Sequence, residues 1–279
     1  MKNKLLIESL KLFIDVKQEL DKEDKNNSVK KAKELLEKVL IDKFLQTKFK
    51  VNSNLSENIS VKFLNNYEFY LNEFINDNDV ITPQIFSDIH EKLTAVTSEN
   101  FDEFVKIFKK KQNKLNKKQG AYYTDNEIVK FMCQQSLLNY LQTKAEENDI
   151  KISTKDFEEL LKYNVSDTLK QYAKEIDKWL SEITICDPAV GAGAFPIGML
   201  QEIVTMRHLL NTNKTVYEFK KECIENSLYG IDIDSGAVKI TKIRLWLALL
   251  VDATEFIAFD NLNYNIVCGD ALTGEVKNV

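Results

Sequence analysis

Three aspartates stand where chemistry could happen, each at the end of an apolar run. Asp187 follows Ile183-Thr-Ile-Cys186, Asp232 follows Ser227-Leu-Tyr-Gly-Ile231, and Asp270 follows Tyr264-Asn-Ile-Val-Cys-Gly269. After the first comes Pro188-Ala-Val-Gly-Ala-Gly-Ala-Phe195, in which Gly191 and Gly193 permit a turn that brings backbone N–H groups close to a ligand. A carboxylate beside bare backbone suits a ligand with an ammonium group and polar edges. One Gly-x-Gly turn is also an ordinary strand-to-helix connection. The repetition of strand, acid and helix is what raises it above that.

The elements that must position these acids follow from periodicity. Ala194 to Leu210 and Ser235 to about Val251 carry apolar residues at helical spacing, so strands at 183–186, 227–232 and 264–270 alternate with helices. That is the pattern of a parallel, doubly wound sheet holding a ligand at its C-terminal edge. All eight glycines lie at or beyond Gly120. The chain therefore divides into an all-helical region, 1–117, and an α/β domain, 118–279. A charged helical insertion is expected at about 142–180.

In the helical region one apolar face is Leu5, Leu6, Leu10, Phe13 and Ile14. A second helix, N-capped by Ser28, has Ala32, Leu35, Leu36, Val39, Leu40 and Phe44 inside. Phe63 to Phe74 reads as a third, Thr82-Pro83 opens a fourth, and a fifth starts near Glu99. That last helix runs into Lys106, Lys109, Lys110, Lys111, Lys114, Lys117 and Lys118. Such a run is either a solvated face or a stripe contacting phosphates, and the sequence leaves both open. Beyond it, Thr124 and Glu127 form a capping box, which leaves Gly120, Tyr122 and Tyr123 unexplained by helix chemistry.

Composition narrows the classes. In 279 residues the net charge is −5, so contact with nucleic acid must come from a local patch. Cys133, Cys186, Cys223 and Cys268 sit in apolar segments without metal-ligand spacing, and read as buried thiols in a reducing, cytoplasmic setting. Two histidines, His90 and His208, cannot build a histidine-based metal site, and no metal site is expected. No segment reads as a signal peptide or a membrane span. The Glu23-Asp-Lys25 match to nuclease chemistry falls in a polar turn and carries none.

Two ligands compete for the glycine turn. In a dinucleotide fold an acid about 20 residues beyond the glycines takes the ribose. Asp232 lies far beyond that spacing, and Asp187 would repel a pyrophosphate. A nucleoside bearing an amino acid fits better. S-adenosylmethionine would place its ammonium near Asp187, its ribose hydroxyls on Asp232 and its adenine amine on Asp270.

Taken together, Gly120-Ala-Tyr-Tyr-Thr124, Asp187-Pro-Ala-Val-Gly-Ala-Gly-Ala-Phe195, Tyr229-Gly-Ile-Asp-Ile-Asp234 and Asn265-Ile-Val-Cys-Gly-Asp270 resemble the successive cofactor motifs of N6-adenine DNA methyltransferases. Ala237-Val-Lys-Ile-Thr-Lys-Ile-Arg-Leu-Trp-Leu247 and Gly198-Met-Leu-Gln-Glu-Ile-Val204 narrow the resemblance to the Eco57I-like restriction–modification proteins, in which a methyltransferase is fused to, or partnered with, an endonuclease. It covers about 118–272. It implies a Rossmann-like, S-adenosylmethionine-dependent methyltransferase domain acting on double-stranded DNA. By the same resemblance Tyr122, Tyr123 and Thr124 border the methionine end of the cofactor. Asp187, Ala189, Gly191 and Gly193 line the loop beneath it. Asp232 holds the ribose, Ile233 packs on the adenine, and Asp270 with Ala271 recognises its edge.

Two departures accompany the resemblance. Asp125 stands where the family usually has proline, and no Asn/Asp-Pro-Pro-aromatic motif follows Asp270 before Val279. That motif draws off the N–H hydrogens of adenine and stacks the flipped base. The expectation is therefore a cofactor-binding portion, inactive alone, whose catalytic motif and endonuclease lie in a further part or partner. Two alternatives stand beside it: an NAD-type Rossmann enzyme and a non-enzymatic helical interaction module.

Overall fold

The computed structural model describes residues 2–22, 27–49, 88–89, 92–93, 96–110, 126–211 and 213–277. The chain forms two compact units, Met1–Tyr123 and Thr124–Val279. The expected third helix, Pro83 and the Gly120–Thr124 motif lie outside the described residues, as does Lys111.

In the first unit α1 (Lys2–Leu20) and α2 (Ser28–Phe49) pack together, and α3 (Phe101–Lys110) carries the aromatic face expected of it. Leu10, Phe13, Leu36, Leu40 and Phe44 are buried. Phe13 meets Phe101 and Phe104 edge-on at 6.1 Å in each case. Ser28 is not the cap. It is the first helical residue, its hydroxyl donates to Asp21 Oδ1 at 2.6 Å, and the helix begins on the Asn27 carbonyl. Lys106 is exposed, whereas Phe104 and Phe108 are buried on the same helix.

The second unit is mixed α/β, mostly helical. Its helices are α4 (Asn126–Glu147), α5 (Thr154–Leu161), α6 (Asp167–Gln171), α7 (Ala173–Glu182), α8 (Ala194–Leu210), α9 (Val216–Asn226) and α10 (Ser235–Leu250). The strands are β1 (Ile185–Asp187), β2 (Leu228–Asp232), β3 (Asn265–Asp270) and β4 (Glu275–Lys277). They form one sheet in the order β1-β2-β3-β4, the first three parallel and the last antiparallel.

The strand order shows the expected parallel sheet but not the reversal that a doubly wound arrangement would add. Parallel crossovers are right-handed, so two successive steps in one direction carry α8 and α10 over the same face. A doubly wound sheet needs a reversal of order, and the described residues contain none. Burial agrees: Leu228, Gly230, Ile266 and Cys268 are buried, while Cys186, Tyr229, Val267 and Val276 on the other face are exposed. β4 was not expected either. It pairs closely because position 269 is glycine, where a Cβ would stand 2.4 Å from the Glu275 carbonyl oxygen.

Residue 142, where an insertion was expected to start, lies inside the continuous α4. The helices that follow supply Phe157, Leu160, Leu169, Ile176 and Leu180 to a core shared with α4, α8 and the sheet. Polar ties lock this packing. Arg207 Nε donates to Asp177 at 2.7 Å while its Nη1 donates to Glu222 at 3.2 Å, joining α8 to α7 and α9. Glu202, buried on α8, accepts from Gln134 and Tyr163. Gly198 allows α8 to approach α4, since a Cβ there would meet Val129 and Cys133 at 2.8 and 3.0 Å.

The cysteines also depart from expectation at one position. Cys133, Cys223 and Cys268 are buried, but Cys186 is exposed because β1 presents it on the uncovered face. Burial pushes the thiols of Cys133 and Cys223 up to about 12. In the folded chain Cys186 should therefore react with a maleimide at least about tenfold faster than the other three. Peptide mapping after a short pulse checks this, and earlier labelling of Cys133 would contradict the packing of α4 against α8.

Candidate functional site

The strand register brings the three acids to one place. Asp187 of β1 lies opposite Gly230, and Asp232 stands two residues further along β2. Asp232 in turn lies opposite Cys268, and Asp270 stands two residues further along β3. Side chains alternate with period two, so all three carboxylates share one face at the C-terminal edge of the sheet. Each step combines about 6.6 Å along a strand with about 4.8 Å across, so neighbouring acids are spaced about 8 Å apart. That is a staircase suited to an elongated ligand.

The glycine turn fills the first step. Asp187 Oδ1 accepts from the Ala189 N–H at 3.1 Å, and the Val190 N–H donates to the Ile231 carbonyl at 3.0 Å. The Gly191 N–H donates to Asp232 Oδ2 at 2.8 Å, tying the turn to the end of β2. Gly191 and Gly193 have φ of 51° and 79°, a left-handed backbone that favours glycine, and Gly193 is the N-cap of α8. The turn and α8 thus start where the sequence placed them.

Asp187 is the unusual member. Its Oδ2 is buried and has no hydrogen-bond partner among the described residues. Burial raises its pKa above the usual carboxylate range; the Ala189 N–H opposes this and the nearby Asp232 charge adds to it. Asp232 is better served, since its Oδ1 accepts from the Asp234 N–H at 2.9 Å. Asp234 then caps α10 through the Gly236 N–H at 2.8 Å. Asp270 Oδ1 accepts from the Leu272 N–H at 2.8 Å, and Ala271 is exposed in the same turn. Ile233 is 65% exposed, an apolar side chain left bare beside the acids.

Two residues at this site were missed in the sequence. Thr241 and Arg244, both buried on α10, reach the turn from behind. The Thr241 hydroxyl donates to the Gly191 carbonyl at 2.7 Å, and Arg244 Nη1 donates to the Ala192 carbonyl. Their signal was present: a hydroxyl and a guanidinium three apart inside a helix that is otherwise apolar on nearly every side.

Asp187, Ala189, Gly191, Gly193, Asp232, Ile233, Asp270 and Ala271 are thus assembled at one sheet edge. Tyr122, Tyr123 and Thr124 lie outside the described residues. Lys109 and Lys110 are in α3, in the other unit. Among the described residues no group of His, Cys, Asp and Glu could hold a metal ion, and no helix is long and apolar enough to cross a membrane.

Fold and site together define a mixed α/β domain with a glycine turn and three acids at one edge. Residues 163–273 match the sequence profile of the MmeI DNA-methyltransferase domain, a span that holds β1 to β3 and the turn. The chain is also 32% identical, over 237 residues, to a Methanocaldococcus jannaschii protein whose name describes a predicted type II restriction enzyme and methyltransferase. That similarity takes in 77% of this chain and 18% of the relative, so the chain spans less than a fifth of its length. No solved structure matches. Residues 163–273 are thus similar to a DNA-methyltransferase domain, and the longer match is to a protein named for both restriction and methylation.

Proposed function

We propose that the second unit binds S-adenosylmethionine, in a Rossmann-like manner, for methyl transfer to N6 of adenine in double-stranded DNA. The observation that carries this is the unpartnered, buried Oδ2 of Asp187 at the glycine turn. A buried carboxylate oxygen without a donor is costly unless a ligand supplies one, and the ammonium of the methionine moiety does. The dinucleotide alternative is weakened by the same turn. Its Gly191 N–H, which a pyrophosphate would need, is held by Asp232, and two carboxylates would face the phosphates.

In this reading Asp187 with the backbone at Ala189, Gly191 and Gly193 takes the methionine end, bordered by Tyr122, Tyr123 and Thr124. Asp232 retains lone pairs for the ribose hydroxyls, and Ile233 packs on the adenine. Asp270 accepts from the exocyclic amine beside Ala271. The bound cofactor supplies an electrophilic methyl group on sulfur. The groups that activate the adenine nitrogen are assigned to none of the described residues, and with an endonuclease they belong to the proposed larger assembly. Residues 1–117 form the helical region preceding the methyltransferase part at 118–279. Lys109, Lys110 and Lys111 contribute DNA phosphate contacts, in a cytoplasmic enzyme.

Isothermal titration of the whole chain tests the cofactor. Micromolar-range binding of S-adenosylhomocysteine with no heat from NAD is expected. Preference for NAD, or no binding of either, overturns the proposal.

A further inference from the structure

Of the peptide groups in the turn, two have their direction set from α10. Thr241 is fully buried, and its hydroxyl hydrogen goes across to the Gly191 carbonyl. Arg244 holds the next carbonyl, that of Ala192. A trans peptide keeps C=O and N–H pointing in opposite directions. Holding the Gly191 carbonyl toward α10 therefore turns the Ala192 N–H away from α10, to the ligand side. Holding the Ala192 carbonyl likewise turns the Gly193 N–H, which closes on Val190 O at 2.9 Å.

The remaining amides of the turn are engaged: Ala189 with Asp187, Val190 with Ile231 and Gly191 with Asp232. The Ala192 N–H has no partner among the described residues, and Ala192 is half-exposed. Among the described residues the turn thus offers an unpartnered side-chain acceptor, Asp187 Oδ2, and an unpartnered backbone donor, the Ala192 N–H. An acceptor and a donor on one short turn match the ammonium and carboxylate of an α-amino acid. Contact is tight on the far side as well: a Cβ at Gly193 would stand 2.8 Å from both Thr241 Oγ1 and Cγ2.

We infer that Thr241 is a positioning residue for the amino-acid head group of the ligand, acting by aiming the Ala192 N–H at its carboxylate. This rests on the cofactor reading above. Thr241 touches no ligand atom itself.

The test uses Thr241→Val, which keeps shape but loses the hydroxyl, and Thr241→Ser, which keeps the hydroxyl. The probes are S-adenosylhomocysteine and 5′-methylthioadenosine, a nucleoside without the amino-acid head. Thr241→Val should weaken S-adenosylhomocysteine about tenfold, the loss of roughly one hydrogen bond to a charged group. Thr241→Ser should restore it to within about twofold, and methylthioadenosine should bind all three chains alike. Unchanged S-adenosylhomocysteine affinity, or equal weakening of both probes, overturns the inference. Failure of the unmodified chain to bind S-adenosylhomocysteine would instead overturn the cofactor reading. In the unmodified chain, the Ala192 amide proton should shift on adding S-adenosylhomocysteine and stay put with methylthioadenosine. A response to neither probe, or to both equally, counts against Thr241 as argued.

Discussion

Asp187→Asn is expected to stabilise the chain without ligand while weakening S-adenosylhomocysteine about a hundredfold. The substitution keeps an oxygen to accept from the Ala189 N–H and removes a buried charge whose Oδ2 has no donor among the described residues. A gain of about 1 kcal/mol is typical when a functional group held at a cost is removed. Losing one partner of a desolvated charge pair costs about 2–5 kcal/mol of binding, hence the hundredfold figure. The pH dependence follows from the direction of the shift. The folded-state pKa of Asp187 is raised, chiefly by burial, so the folded chain binds this proton more readily than the unfolded chain. The cost of the buried charge is fully present above the folded pKa and is relieved as pH falls through it. The stability gap between Asp187→Asn and the unmodified chain should therefore narrow as pH is lowered. Over that interval the unmodified chain should lose ligand affinity, because a protonated Asp187 no longer attracts an ammonium. Melts and titrations at several pH values check both. A variant that is less stable and binds normally would remove Asp187 from the site.

Gly193→Ala should be the most damaging single methyl in the turn. At φ 79° a side chain costs about 1–2 kcal/mol of backbone strain. The new Cβ would also stand 2.8 Å from Thr241, which is fully buried and cannot move aside. Overpacking of that kind costs about 1–3 kcal/mol more. The sum, about 3 kcal/mol, corresponds to a fall in Tm on the order of 10 °C for a unit of this size. Because the clash pushes on the hydroxyl that holds the Gly191 carbonyl, ligand affinity should fall too. Gly274→Ala is the matched control: its φ is 74° but a Cβ there meets nothing within 4 Å. It should show the strain alone, about 1–2 kcal/mol. Equal effects at the two glycines would mean that the Thr241 contact contributes nothing.

How far the sequence led can be read from individual residues. The three strands end at Asp187, Asp232 and Asp270, as the β-branched runs and the acids after them implied. The start of α8 was legible because Gly191 and Gly193 permit the turn, and α10 began at Ser235 as its pattern implied. Cys186 was not legible as an exposed residue. In a three-residue strand, alternation cannot be told from a uniformly buried run, and the bare face depends on which strands neighbour it. β4 was illegible for a related reason: Glu275-Val-Lys277 has no apolar run, and its pairing depends on the room left by Gly269. Ser28 looked like a cap because local chemistry favours it there, but Asp21 took its hydroxyl. Thr241 and Arg244 could be noticed as polar residues in an apolar helix. Their target, two carbonyls about 50 residues earlier in the chain, is a tertiary fact.

The most direct measurement is a crystal structure of the chain with S-adenosylhomocysteine bound. The ammonium should lie on Asp187 Oδ2, the ribose hydroxyls on Asp232, and the adenine against Ile233 with its amine on Asp270. An adenine seated elsewhere, or a ligand whose amino-acid end avoids Asp187, would contradict the assignment of the three acids to one cofactor.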